Sequence, residues 1–190
     1  MKKVLFFIIF GFYLVGFSQA DLDYIDNDSI LTWSETRKLS WDDFKGQPAA
    51  GKRSGAITAS RFFTFPEYFY ATDYGRLTAY AIFSKLESWN RVESESLLAH
   101  EQLHFDISEL FARKMRKRFD ELRATNETKI SVYIKEMKKL FSESRIYQNL
   151  YDRETKHGIL IEIQERWSAK IAQELTELDD FKYNPTLQKN

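Results

Sequence analysis

The chain places His100 and His104 four residues apart, with Glu101 directly after the first, in the run His100-Glu101-Gln102-Leu103-His104. On a helix, residues i and i+4 stand one above the other, so both imidazoles can reach one ion. Glu101, one step round, can sit beside a water held by that ion and take its proton. This is the arrangement that hydrolysis by zinc requires. A catalytic zinc takes three protein ligands and keeps a fourth position open, so one ligand must come from outside the motif. The chain has three histidines, which makes His157 the expected third ligand. Glu154 competes with it, because two histidines and a glutamate hold zinc equally well. Asp152 is a weaker candidate. With no cysteine in the chain, thiolate ligands and cysteine nucleophiles are excluded.

These residues must be positioned by helices. Leu97, His100, His104, Ile107, Phe111 and Met115 recur at spacings of three and four, which predicts a helix from about Arg91 to Arg123 with Asn90 and Glu93 at its start. The two histidines lie in its apolar stripe, and a buried imidazole pair without a partner is costly, which independently favours a metal. After a loop at Ala124 to Glu127, a second helix is expected from about Thr128 to Thr155. Its inner side is read as Ile130, Ile134, Met137, Phe141, Gln148 and Tyr151, and Gly158 ends it. At about 100° per residue, His157 on a regular helix would point away from that side, and Glu154 would lie about 60° closer. His157 therefore serves as a ligand only if the helix ends or twists near Gly158. A third helix is expected from about Leu160 to Leu178, packing through Ile163, Trp167, Ile171 and Leu175, with a fraying polar tail from Asp179.

Upstream, Ala56 to Phe65 and Leu77 to Phe83 are rich in β-formers and flank a turn signal at Asp73-Tyr74-Gly75, so they read as an antiparallel pair. Residues 21–32 read as a mobile acidic lead-in. Trp33 to Pro48 reads as a short strand with a turn at Gly46-Gln47-Pro48. The fold class expected is α+β, a small antiparallel sheet packed on three long helices.

Lys2 and Lys3, an apolar run from Val4 to Phe17, and small residues at Ser18 and Ala20 make residues 1–20 an expected secretory signal peptide. Residues 21–190 are then one mature domain, periplasmic or extracellular, with no stable membrane insertion after the signal is removed. The 28 basic and 28 acidic residues of the whole chain become 26 and 28 after Lys2 and Lys3 are lost. A net charge of −2 argues against a nucleic-acid partner.

The motif region resembles a family of bacterial secreted zinc-dependent proteases whose motif reads His-Glu-Gln-x-His-Phe-Asp-Ile followed by a Glu, here His100 to Ile107 with Glu109. The block Tyr151-Asp152-x-Glu154-Thr155-x-His157-Gly158, then Gln164 and Trp167, is similar to theirs. So is Trp41-x-Asp43-Phe44-x-Gly46-x-Pro48. The resemblance implies a zincin-like metallopeptidase acting on a peptide or protein substrate. In that reading Zn2+ is held by His100, His104 and His157, with Glu101 as general base and later general acid. Tyr147, Tyr151 and Arg153 are candidate second donors to the oxyanion. Asp106, Glu109 and Asp152 are candidate partners for the outer imidazole nitrogens, although Asp106 and Glu109 lie off the histidine face and read more simply as exposed charges. Two other classes stay open. One is a zinc-binding module or scaffold without chemistry, against which Glu101 speaks because a structural site needs no base. The other is a di-metal carboxylate site built on Glu154-x-x-His157, which lacks the second Glu-x-x-His element it would need.

Overall fold

The computed structural model describes residues 25–183 apart from 49, 52, 53 and 66–70, so the expected signal segment lies outside the described residues. Five short strands come first: β1 (Ile30–Thr32), β2 (Ala56–Ile57), β3 (Ser60–Phe65), β4 (Thr78–Ser84) and β5 (Trp89–Asn90). Three helices follow, α1 (Glu95–Ala124), α2 (Ile130–Thr155) and α3 (Ile161–Glu177). The architecture is α+β, with a small antiparallel sheet packed on the helices. No helix among the described residues is long and apolar enough to cross a membrane.

The expected antiparallel pair is present. β3 runs against β4 with Phe62 opposite Ala81, while β2 splits off at Thr58-Ala59 and pairs with β5 instead, Ile57 opposite Trp89. Residues 21–24 of the expected lead-in lie outside the described residues, and from Ile25 on it does not stay loose. β1 adds to the far edge of β4 with Leu31 opposite Phe83, and Leu31 is fully buried. Its charges are neutralised locally, since Lys85 pairs with Asp26 and Lys45 with Asp28. The expected strand between Trp33 and Pro48 is a one-turn 3-10 helix at Trp41–Asp43 instead. The Asp43 carboxylate accepts from the Ser40 backbone N–H at 2.9 Å and from Arg37. That cap satisfies the turn locally, so the segment needs no ladder.

α1 is 30 residues long, about 45 Å at 1.5 Å per residue, and runs across the sheet. It starts later than the sequence predicts. Ser94 is the N-cap, its Oγ accepting from Leu97 N at 3.2 Å, while Asn90 is taken up by β5. The first half of α2 is turned relative to the expected stripe, while Gln148 and Tyr151 face inward as read. Ile130, Ile134 and Phe141 are exposed, and Tyr133, Leu140, Ser144, Tyr151 and Thr155 face inward. Aromatic packing fixes the rotation: Tyr133 stacks on Tyr74 with centroids 4.3 Å apart, and Tyr151 packs on Trp167 at 5.4 Å. The tail does not fray at Asp179, because Asp179–Phe181 forms another 3-10 turn that receives hydrogen bonds from Arg113 and Arg116.

Glu109 and Asp106, expected as exposed charges, are both tied into the structure. Asp106 accepts from Trp33 Nε1 at 2.7 Å and Gln102 Nε2 at 2.9 Å. Glu109 is buried between Arg113 (3.1 Å) and Arg116 (2.6 Å), both themselves buried. Removing one partner of a buried ion network costs about 3–5 kcal/mol because it strands the others without compensation. Glu109→Ala, leaving two guanidiniums in the core, is therefore expected to lower unfolding free energy by about that amount, read from urea denaturation. A loss below about 1 kcal/mol would mean that water, Asp179 at 3.2 Å or Glu35 at 3.6 Å from Arg113 compensates the pair.

Candidate metal centre

His100 and His104 project from α1 toward α2 at the floor of a cleft of about 750 Å³, whose opposite wall is β2 and the segment after it. Their Nε2 atoms are 3.2 Å apart. Both face Asp152 Oδ1 on α2, at 3.2 Å from His100 and 3.0 Å from His104. These three side chains form a group able to hold a metal ion. A tetrahedral ion with bonds of about 2.0–2.1 Å separates its ligand atoms by about 3.3 Å, so the donors already stand close to the edges of such a tetrahedron.

The tautomer supports the same conclusion. Gln148 Oε1 lies 2.6 Å from His104 Nδ1, and Gln148 Nε2 donates to the His104 carbonyl at 2.9 Å. The amide is thereby oriented with its oxygen toward the ring, so Nδ1 carries a proton and Nε2 of the neutral ring presents a lone pair to the carboxylate. Such a convergence is attractive only around a cation, either a proton or a metal. Without metal the proton serves. Burial opposes charge on His104, but the Asp152 hydrogen bond and charge outweigh it and raise its pKa. Burial likewise opposes charge on Asp152, and the hydrogen bonds from His100 and His104 hold it far below the usual carboxylate range. A metal bound here displaces that proton, so uptake weakens as pH falls.

His100 is held differently. Its ring stacks on Tyr151 with centroids 4.7 Å apart, and its Nδ1 is buried without a hydrogen-bond partner among the described residues. Gly158 packs against it: a Cβ there would lie 3.0 Å from His100 Cβ and Cγ, and the backbone is left-handed at φ +82°. Both the close approach and the dihedral require glycine.

The end of α2 decides where the expected ligands go. The helix stops at Thr155, and Lys156 and His157 are both left-handed, with φ of 50° and 56°. Thr155 Oγ1 donates to Tyr151 O at 2.8 Å and accepts from Gly158 N at 3.3 Å, closing the turn. Asp152, the weaker candidate, joins the two histidines, while His157 stands at the mouth, its side chain 77% exposed and Nδ1 3.5 Å from Asp152 Oδ1. Glu154 is turned away and accepts from Trp167 Nε1 at 2.9 Å. Of the candidate oxyanion donors, Tyr151 donates to the His100 carbonyl at 3.3 Å and Tyr147 to Glu174 at 2.7 Å. Neither hydroxyl is free for the cleft, and Arg153 is exposed.

Glu101 lines the cleft and is 4% exposed. Among the described residues, no hydrogen bond or ion pair engages its carboxylate. Sequence reading passed over Gln148 as a packing residue. The signal was available, because Gln148 and Asp152 are polar, one turn apart, on a helix facing the histidines. Outer partners of metal-bound imidazoles are worth about 10–100-fold in affinity. Gln148→Ala is accordingly expected to weaken zinc binding by about 10-fold or more in chelator competition, and unchanged affinity would show that the Gln148 contact is only structural.

Residues 81–158, which contain the motif and the α2 terminus, are similar to a family described as bacterial proteins of unknown function (DUF922). No curated protein and no solved structure matches the chain.

Proposed function

We propose that the protein is an exported, zincin-like zinc peptidase, with His100, His104 and Asp152 holding the ion and Glu101 moving the proton. One observation carries the reading: a buried carboxylate with no protein partner among the described residues stands beside a three-donor group at the floor of an open cleft. Structural zinc sites are closed by four protein ligands, whereas catalytic ones use three and leave a position accessible. Zinc, when bound, supplies Lewis acidity that acidifies water and polarises a peptide carbonyl. Gln148 orients the His104 imidazole through Nδ1 and Tyr151 stacks on that of His100, and the walls of the cleft limit access of bulk water. Glu101 accepts a proton from the attacking water as its oxygen bonds to the carbonyl carbon. It then passes that proton to the amine nitrogen as the C–N bond breaks, leaving a carboxylic acid and an amine, which become carboxylate and ammonium as the remaining proton moves between them.

The test is a digest of a broad peptide library by purified, zinc-loaded protein, with metal content measured on the same sample. Cleavage that is lost on chelation and restored by zinc is expected. Stoichiometric zinc with no cleavage anywhere in the library would instead identify a zinc-binding module without chemistry.

A further inference from the structure

We infer that Gln164, in the first turn of α3, is the positioning partner of His100, its Oε1 accepting from the His100 Nδ1–H when that imidazole holds a metal. The inference rests on the zinc-binding half of the proposal above and brings a third helix into the site. The two histidines are supported unequally. Gln148 engages Nδ1 of His104 at 2.6 Å, whereas Nδ1 of His100 is buried without a hydrogen-bond partner among the described residues. With Nε2 committed to a metal, a neutral imidazole carries its proton on Nδ1. A buried N–H without an acceptor is costly, and metal-bound imidazoles almost always donate this proton to an outer partner. An acceptor beside the His100 ring is therefore required.

Gln164 has the form of that acceptor. It is 6% exposed, and its Nε2 donates at 2.9 Å to the carbonyl of Ser96, one turn before His100 on α1. A carbonyl only accepts, so this bond fixes which end of the amide is nitrogen and turns Oε1 away from Ser96. Gln148 is arranged in the same way: its Nε2 holds an α1 carbonyl, that of His104, at 2.9 Å, and its Oε1 meets the ring. The difference lies in what reaches Oε1 of Gln164. It receives a long contact of 3.5 Å from the Tyr151 hydroxyl, which also donates to the His100 carbonyl at 3.3 Å. A buried oxygen is thus left with spare accepting capacity. Gly158 shows how near that oxygen is to the ring. A Cβ there would lie 3.0 Å from His100 Cγ and 3.2 Å from Gln164 Oε1, so ring and amide flank one space that only glycine leaves open. Nδ1 is bonded to that Cγ, and a turn of the ring or of the amide brings donor and acceptor together.

Two measurements test this. The first is nuclear magnetic resonance of the unmodified, 15N-labelled, zinc-loaded protein, which needs no variant to fold. The Hδ1 proton of His100 is expected to exchange slowly with water and to show a nuclear Overhauser contact to the Gln164 side chain. The second compares Gln164→Leu with Gln164→Glu in chelator competition, with circular dichroism to confirm folding. Both lose the bond to Ser96, but only the glutamate keeps an acceptor. Gln164→Leu is expected to lower zinc affinity by about 10-fold and to shift the Hδ1 resonance of His100 while leaving that of His104. Gln164→Glu is expected to stay closer to the unmodified protein than to Gln164→Leu. A merely structural glutamine would weaken both variants alike and move neither proton selectively. A His100 Hδ1 without contact to Gln164, or equal zinc affinity in Gln164→Leu and the unmodified protein, overturns the inference and leaves the zinc reading standing. A protein that takes up no zinc removes the zinc reading and this inference together.

Discussion

Glu101→Gln is expected to reduce peptide hydrolysis by about a thousandfold, within the 10²–10⁴-fold range of general acid–base contributions, while zinc content stays at the level of the unmodified protein. Glutamine has the shape of glutamate but cannot take a proton from water. Glu101 is not among the three gathered donors, so its replacement removes no coordination bond. Nor does it break a hydrogen bond or ion pair recorded among the described residues, and the backbone carbonyl of Glu101, which accepts from Thr58 Oγ1 at 3.4 Å, is untouched. Fold and metal binding should both survive. Turnover on any peptide that the unmodified protein cleaves, measured beside metal analysis and a thermal melt, decides the matter. A variant that keeps near-normal turnover would show that another group carries the proton. Loss of zinc would place Glu101 among the ligands instead.

What the sequence revealed and what it withheld follow from how far each signal reaches. The histidine pair and its helix were legible because i, i+4 spacing and the apolar stripe of α1 are local properties of one element. The β3–β4 pair was legible for the same reason. The inner face of α2 was legible at its C-terminal end, where Gln148 and Tyr151 face inward as read, but not nearer its start. The spacing of Ile130, Ile134 and Phe141 suggested one face, but the stacking of Tyr133 on Tyr74 and of Tyr151 on His100 turns the helix onto another. Asp152, one turn on from Gln148, comes to face the histidines with it. Glu109 was misjudged by the same limitation. Its place off the histidine face is visible in the sequence, but the sheet and the Asp179–Phe181 turn that enclose it belong to distant segments. β1 escaped notice because Asp26, Asn27 and Asp28 directly precede a strand of three residues, and the cations that make that charge tolerable, Arg37, Lys45 and Lys85, are more than ten residues away from the carboxylates they meet.

The third ligand is the point at which sequence and structure diverge most, and it gives the second large expected effect. Asp152→Ala is expected to lower zinc affinity by more than about 100-fold, beyond the 10–100-fold typical of outer partners, and by about as much as His100→Ala. Asp152 Oδ1 lies within 3.2 Å of both imidazole Nε2 atoms, so its loss leaves two neutral donors and water around the ion. Asp152→Asn separates charge from shape. It keeps an oxygen at the site but removes the negative charge that stabilises the cation, and it should fall between Asp152→Ala and the unmodified protein. His157→Ala is expected to have a smaller effect than Asp152→Ala, because the imidazole stands at the mouth with its ring largely in solvent. Glu154→Ala should leave affinity unchanged and cost only the hydrogen bond to Trp167. The measurement is chelator competition on the purified variants under one buffer, with circular dichroism to confirm folding. Unchanged affinity in Asp152→Ala together with an empty His157→Ala would transfer the ligand role to His157. The ring would then have to swing inward about the left-handed pair Lys156 and His157, with Asp152 serving as its hydrogen-bonded support. Either result leaves the role of Glu101 intact, because Glu101 approaches the site from α1, while Asp152 and His157 belong to the end of α2.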